Sequence, residues 1–162
     1  MSKVPVVREF MVTSIVTLRP ELPIRQAIDS LLKHRISGAP VVNAEGALVG
    51  MLSEKDCLRV FANAAFHNSD PGDVEDYMAR EVLTIEPEAD LFRAADIFLK
   101  HSFRRLPVLE DGKLVGQISR RDVLNASRQL ADAPPIPKPF TDAKYLTDEV
   151  KAALADKTAP SE

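Results

Sequence analysis

The apolar positions of this chain fall into one pattern, and that pattern occurs twice. In the first copy a short extended piece, Ile15-Val16-Thr17-Leu18, leads to Pro20. Ile24, Ala27, Ile28, Leu31 and Leu32 then recur at the spacing of a helix with one apolar stripe. Pro23 suits the first turn of that helix. Pro40-Val41-Val42 and Leu48 to Leu52, separated by a turn at Glu45-Gly46, predict a hairpin, and a helix opened by Ser53 follows. The second copy repeats the series with Val82-Leu83-Thr84-Ile85, then a stripe of Leu91, Ala94, Ala95, Phe98 and Leu99 with Asp90 as its N-cap. Its hairpin is Pro107-Val108-Leu109 and Leu114 to Ile118 around Asp111-Gly112, and its closing helix runs from Ser119 to about Leu130. The order is β-α-β-β-α, twice, and both helical stripes are expected to be core.

Identities reinforce the duplication. Val7-Arg8-Glu9-Phe10-Met11 returns as Val74-Glu75-Asp76-Tyr77-Met78, Leu32-Lys33-His34 as Leu99-Lys100-His101, and Leu48-Val49-Gly50 as Leu114-Val115-Gly116. Roughly two in five paired positions are identical. The single one-residue slip falls in the hairpin turn, where a length change costs least. The expected organisation is a first repeat over 7–66, a linker loop over 67–73, a second repeat over 74–130, and a Pro-rich segment with a short helix over 131–162. A copy of about 50 residues buries too little surface alone. The expected fold class is therefore α+β, with the two repeats packed face to face about a pseudo-two-fold axis and two equivalent clefts between them.

Composition narrows the function classes. The chain has 162 residues, 45% hydrophobic and 28% charged, with a formal net charge of -3, so no DNA-coating or membrane-coating surface is expected. Cys57 is the only cysteine, which excludes an intrachain disulfide and a cysteine-based zinc site, and it reads as a small buried hydrophobe. The start, Met1-Ser2-Lys3-Val4-Pro5, lacks a signal-peptide core, and no apolar run reaches the roughly 18 residues of a membrane span. The expectation is a cytoplasmic protein. His34 and His101 end equivalent helices, where a cation suits the dipole, and three scattered histidines make no metal site.

Several motifs occur in the same order in both copies: Thr-x-x-Pro at Thr17 and Thr84, Ser37-Gly38-Ala39-Pro40-Val41 against Arg104-Arg105-Leu106-Pro107-Val108, and Leu-Val-Gly runs ending at Asp56 and Asp122. In this ordered set, over about residues 7 to 128, the chain resembles the CBS domain family in its tandem form. The resemblance implies a regulatory module that senses an adenosine compound such as AMP, ADP, ATP, NAD or S-adenosylmethionine, requires no cofactor, and pairs into disk-like homodimers. No enzyme, transporter or channel domain is recognisable beside the repeats, so the listener is expected to be a separate, unidentified protein.

A nucleotide needs an apolar slot, acceptors for ribose hydroxyls and donors for phosphate. For the base, Ile15, Val16 and Thr17 with Ser37, Gly38, Ala39 and Pro40 offer apolar atoms beside backbone groups, and Gly38 and Ala39 let a flat ring come close. Val82, Leu83 and Thr84 with Arg104, Arg105, Leu106 and Pro107 are the equivalents. The resemblance points to Asp56 and Asp122 for ribose. For phosphate, Ser53 and Ser119 sit at helix starts, with Lys55, Arg120 and Arg121 in the same turns.

Each feature also has a structural reading. Ser-x-x-Asp at a helix start is equally a capping box, and the two roles are compatible. Thr17 and Thr84 read equally as plain strand residues. Arg104, Arg105, Arg120 and Arg121 form either a solvated basic face or a phosphate grip. For the whole protein the alternative to a sensor is a constitutive scaffold with degenerate clefts. An enzyme is disfavoured, since no nucleophile has a partnered base and no glycine-rich phosphate loop is present. Nucleic-acid binding is disfavoured by six Gly, two Tyr and the mild negative charge.

Overall fold

The computed structural model describes residues 4–64 and 70–131. The run from Pro134 to Pro139, the expected helix from Thr147 to Asp156 and residues 65–69 lie outside the described residues. Four helices and two hairpins follow in the expected order: α1 Ile24–His34, β1 Gly38–Val42, β2 Leu48–Ser53, α2 Glu54–Ala64, α3 Leu91–Lys100, β3 Arg105–Glu110, β4 Lys113–Ser119 and α4 Arg120–Ala131. Short 3-10 turns at Val7–Glu9 and Val74–Asp76 lead the two copies.

Local chemistry sets the boundaries. The Asp90 side chain accepts from the Arg93 amide at 2.8 Å and caps α3. Pro23 is the N-cap of α1, one residue earlier than the expected first-turn position. The tight turn between β3 and β4 needs positive φ at both central residues, and Asp111 (50°) with Gly112 (76°) supplies it. Each hairpin begins earlier than expected, at Gly38 and Arg105, so these two residues stand in strands.

The first strand of each copy is shortened to a single residue. Leu18 donates to the Pro40 carbonyl at 2.9 Å and accepts from the Val42 amide at 2.9 Å; Ile85 does the same with Pro107 (3.1 Å) and Leu109 (3.0 Å). In a parallel ladder the next bond inward would require the amide of residue 40 or 107 to donate to Val16 or Leu83. Proline has no amide, so the ladder stops at the same place in both copies.

The chain divides into two compact units. The first comprises Val12–Glu86 and Pro107–Gln117. Its core gathers Leu18, Ile24, Ala27, Leu31, Ala39, Val41, Leu52, Val60, Val74 and Met78. The second comprises, of the described residues, 4–11, 87–106 and 118–131, with Val7, Leu91, Ala94, Phe98, Leu106, Ile118 and Ala126 buried.

These units do not coincide with the sequence repeats, because the leading turns are exchanged. The Val74 and Glu75 amides donate to Leu22 (2.9 Å) and Pro20 (3.0 Å), ahead of α1. The Val7 and Arg8 amides donate to Ala89 (2.8 Å) and Pro87 (2.9 Å), ahead of α3. Ala79 pairs with Met51 of β2, and Val12 pairs with Gln117 of β4, each through two backbone hydrogen bonds of 2.8–2.9 Å.

The expectation that the whole apolar stripe of α1 and α3 is core needs correction. Leu32 is 69% and Leu99 60% exposed. Both lie eight residues after the first helical residue, about 80° around the helix from it. Burial fades toward that edge: Leu31 and Phe98 are buried, Ile28 and Ala95 half-buried, Leu32 and Leu99 open.

Candidate functional site

In the first unit, the turn from β2 into α2 forms a complete capping box. The Ser53 amide donates to Asp56 Oδ2 at 2.9 Å, the Ser53 hydroxyl donates to the same oxygen at 2.8 Å, and the Asp56 amide donates to Ser53 Oγ at 3.2 Å. Asp56 is only 9% exposed, yet its Oδ1 is left facing the Arg59 guanidinium at 3.6 Å. A carboxylate offers about four lone-pair sites. Ser53 occupies those of Oδ2 and leaves Oδ1 for another partner.

The same unit brings Ser37 and Gly38 to this turn. The Glu54 amide donates to the Ser37 carbonyl at 2.9 Å, and Gly38 pairs with Ser53 across the hairpin. An added Cβ at Gly38 would meet the Leu52 carbonyl oxygen at 2.9 Å, so the backbone approach there depends on glycine. Ile15 and Val16 are half-buried and Thr17 exposed, in a segment without regular secondary structure. Lys55 is exposed.

The second-copy candidates are divided between the units. Val82, Leu83, Thr84 and Pro107 lie in the first unit, whereas Arg104, Arg105, Leu106, Ser119, Arg120, Arg121 and Asp122 lie in the second. There the box recurs: the Ser119 amide and hydroxyl each donate to Asp122 Oδ2 at 2.7 Å, and the Asp122 amide donates to Ser119 Oγ at 3.2 Å. The Arg120 amide donates to the Arg104 carbonyl at 3.1 Å, as Glu54 does to Ser37. Arg120 also donates through its guanidinium to the His101 carbonyl at 3.2 Å, and the His101 ring stacks on Phe103 at 5.4 Å.

Four expected wall residues are turned into the core. Ala39, Pro40, Leu106 and Pro107 are fully buried, so they support the hairpins and offer no open surface. Sequence reasoning did not find Arg59, whose position three residues after Asp56 was the available signal. Cys57 is half-buried, and its thiol pKa is pushed up from 9.0 by burial first, then by Asp56 and Glu54. Among the described residues no cluster of histidine, cysteine and carboxylates could hold a metal, and no helix is long and apolar enough to cross a membrane.

Comparison with known proteins gives this geometry a context. The family described as CBS domain matches residues 7–63 and again 74–129. An uncharacterized protein of Methanocaldococcus jannaschii is 34% identical over 118 residues, covering 73% of this chain, which spans 41% of that relative's length. The CBS domain-containing protein YhcV of Bacillus subtilis is 30% identical over 118 residues, covering 72% of this chain and 81% of its own. Among solved structures, CBSX2 in complex with AMP matches at 30% identity with a TM-score of 0.70, covering 78% of this chain and 98% of that one.

Proposed function

This chain belongs to the CBS domain family and carries the domain twice, and from that premise we propose that it is a non-enzymatic regulatory module that binds an adenosine compound. The observation that carries the reading is the duplicated Ser-x-x-Asp turn, in which one aspartate oxygen is spent on the helix cap and the other is not. In the first repeat, Asp56 Oδ1 is the acceptor for a ribose hydroxyl, and the half-buried Ile15 and Val16 with exposed Thr17 receive the base. The polar backbone of that segment suits recognition of a base edge, because the Pro40 ladder stop leaves it without a strand partner among the described residues. Asp122, held by the same pair of Ser119 hydrogen bonds, has the corresponding ribose role in the second repeat. Ser53, Ser119 and Lys55 complete the polar sets. The complex of CBSX2 with AMP supports the ligand class.

Ligand binding alters the output by favouring one conformation over another, which requires different affinities for the two. The receiver is a separate cytoplasmic protein or a second copy of this chain. Leu58 and Phe61 on α2, Leu32 on α1, Leu99 on α3 and Leu124 on α4 are exposed, and these apolar residues support a homodimer.

A thermal-unfolding panel with AMP, ADP, ATP, NAD and S-adenosylmethionine tests the reading. A ligand at 100 times its dissociation constant adds about 2.7 kcal/mol of stability. Absence of a shift with every adenosine compound would overturn the sensor and leave the constitutive scaffold.

A further inference from the structure

α1 and α3 hold the same place in the two repeats, yet they differ on the side turned away from the core. Measured around α3 from Leu91, the buried Ala94 and Phe98 lie within about 60°, Leu99 and Phe92 at about 80° and 100°, and Asp96 at about 140°. With only the core to cover the helix, exposure would rise along that series. It rises as far as Leu99, which is 60% exposed, but Phe92 falls to 36% and Asp96 is half-buried. Asp96 Oδ2 meets Lys100 Nζ at 3.2 Å, while Oδ1 is closed to solvent and has no hydrogen-bond partner among the described residues. On α1 the matching residues are Leu32, Arg25 and Asp29, and all three are exposed. Lys33 follows Asp29 by four residues as Lys100 follows Asp96, so a lysine at that spacing does not by itself enclose the aspartate.

The side chains there are also more aromatic in the second repeat. Phe92 stands where α1 has Arg25, and Phe103, 43% exposed just beyond the end of α3, stands where the first repeat has the half-buried Ile36. A closed acceptor without a donor is unfavourable, and exposed aromatic surface marks a binding face. This side of α3 therefore suits a cover that brings apolar residues and a hydrogen-bond donor together.

We propose that the cover is residues 140–156 of the same chain, docked on the outer side of α3. The chain continues from Ala131, the last residue of α4, to Glu162, and α4 packs against α3. That stretch contains Phe140 and Tyr145, and then Leu146, Val150 and Leu154 at helical spacing. Lys144, Tyr145 and Thr147 bring donors for Asp96 Oδ1. The roughly 15 residues from Ala131 to Leu146 reach about 50 Å when extended, whereas α3 is about 15 Å long. Attachment through α4 keeps the segment at an effective concentration on the order of millimolar, which favours it over the same segment of a second copy. Leu32, Leu58 and Phe61 belong to the first unit and stay open for a homodimer, so the cover and the dimer are compatible.

Hydrogen–deuterium exchange of the full chain without ligand is the test, so its outcome is separate from that of the adenosine reading. The proteins compared are wild type, Val150→Asp/Leu154→Asp in the segment, Leu99→Lys on α3, and Leu32→Lys at the matching place on α1. Leu99 and Leu32 are both exposed, so neither change disturbs a core. In wild type the amides of residues 146–154 exchange about tenfold or more slower than those of an unstructured chain. Leu99→Lys removes most of that protection, whereas Leu32→Lys leaves it intact. Val150→Asp/Leu154→Asp in turn speeds exchange in α3 and leaves α1 unchanged.

Exchange of residues 146–154 at the unstructured rate in wild type would overturn the proposal. Protection that survives Leu99→Lys would overturn it as well, because the segment would then rest elsewhere or hold its structure alone. Protection that grows with protein concentration would assign the face to the segment of a second copy and sink the cover within one chain.

Discussion

At Asp56 the two carboxylate oxygens face different partners, Oδ2 both hydrogen bonds of Ser53 and Oδ1 the Arg59 guanidinium. That division lets a substitution separate cap from ligand. Asp56→Ala removes the acceptor for the Ser53 amide and costs about 1–2 kcal/mol in urea unfolding, together with ribose binding. Asp56→Asn keeps a carbonyl acceptor for the amide and recovers most of the stability, but it loses the charge that strengthens a bond from a hydroxyl. If Asn restored adenosine affinity as fully as stability, charge at this position would have no part in binding. The neighbouring Cys57 gives a pH prediction. Burial, followed by Asp56 and Glu54, raises its thiol pKa in the folded protein, so the folded state holds the proton after the unfolded chain has released it. Stability is then full below the unfolded value and falls as pH rises above 9.0 toward the raised folded value. Urea unfolding across that range should show a steeper decline for wild type than for Cys57→Ala; parallel declines would mean that the thiol carries no such shift.

At the scale of elements, the hairpins and helices were legible because their signals are local: stripes at helical spacing, a turn at Asp111-Gly112, a cap at Asp90. The shortening of the first strand was less so. Ile15-Val16-Thr17-Leu18 has good strand composition, but its partner strand presents Pro40 where an amide is required, and that is visible only once the register is known. Pro40→Ala provides the missing amide. The ladder can then extend to Val16, so the amide introduced at position 40 should exchange slowly with solvent, and adenosine should bind more weakly because Val16 is engaged. Rapid exchange at that amide would mean that something other than the proline stops the strand. The edges of the helical stripes were also misjudged from sequence. Leu32 and Leu99 match the period, but they stand about 80° from the first stripe residue, where only the placement of neighbouring elements decides burial. Of the candidate site, the Ser-x-x-Asp turns were legible as spacing. The burial of Ala39, Pro40, Leu106 and Pro107 was not, because a small or proline residue in a strand reads the same on either face.

At the scale of the whole molecule, duplication hides an exchange that no periodicity reports. The turn at Val7–Glu9 belongs by sequence to the first repeat, yet its amides bond ahead of α3, and the Leu91 amide, at the start of that helix, donates back to the Pro5 carbonyl at 3.1 Å. The turn at Val74–Asp76 treats α1 in the same way, with the Ile24 amide donating to the Gly72 carbonyl at 3.0 Å. Val7 and Val74 are both fully buried, so each leader fills the core of a unit whose helix comes from the other copy. Deleting residues 1–11 should therefore do its damage far along the chain. The loss exposes apolar surface around Leu91 and Ala94 and leaves the α3 start without its backbone partners, whereas Val74 still covers Ile24. Amide exchange of the shortened protein should show α3 opening well before α1, although α1 lies nearer the deletion in sequence. Each repeat would instead be closed by its own leader if protection fell first in α1, and the backbone pairing of Val7 with Ala89 would then contribute nothing measurable to stability.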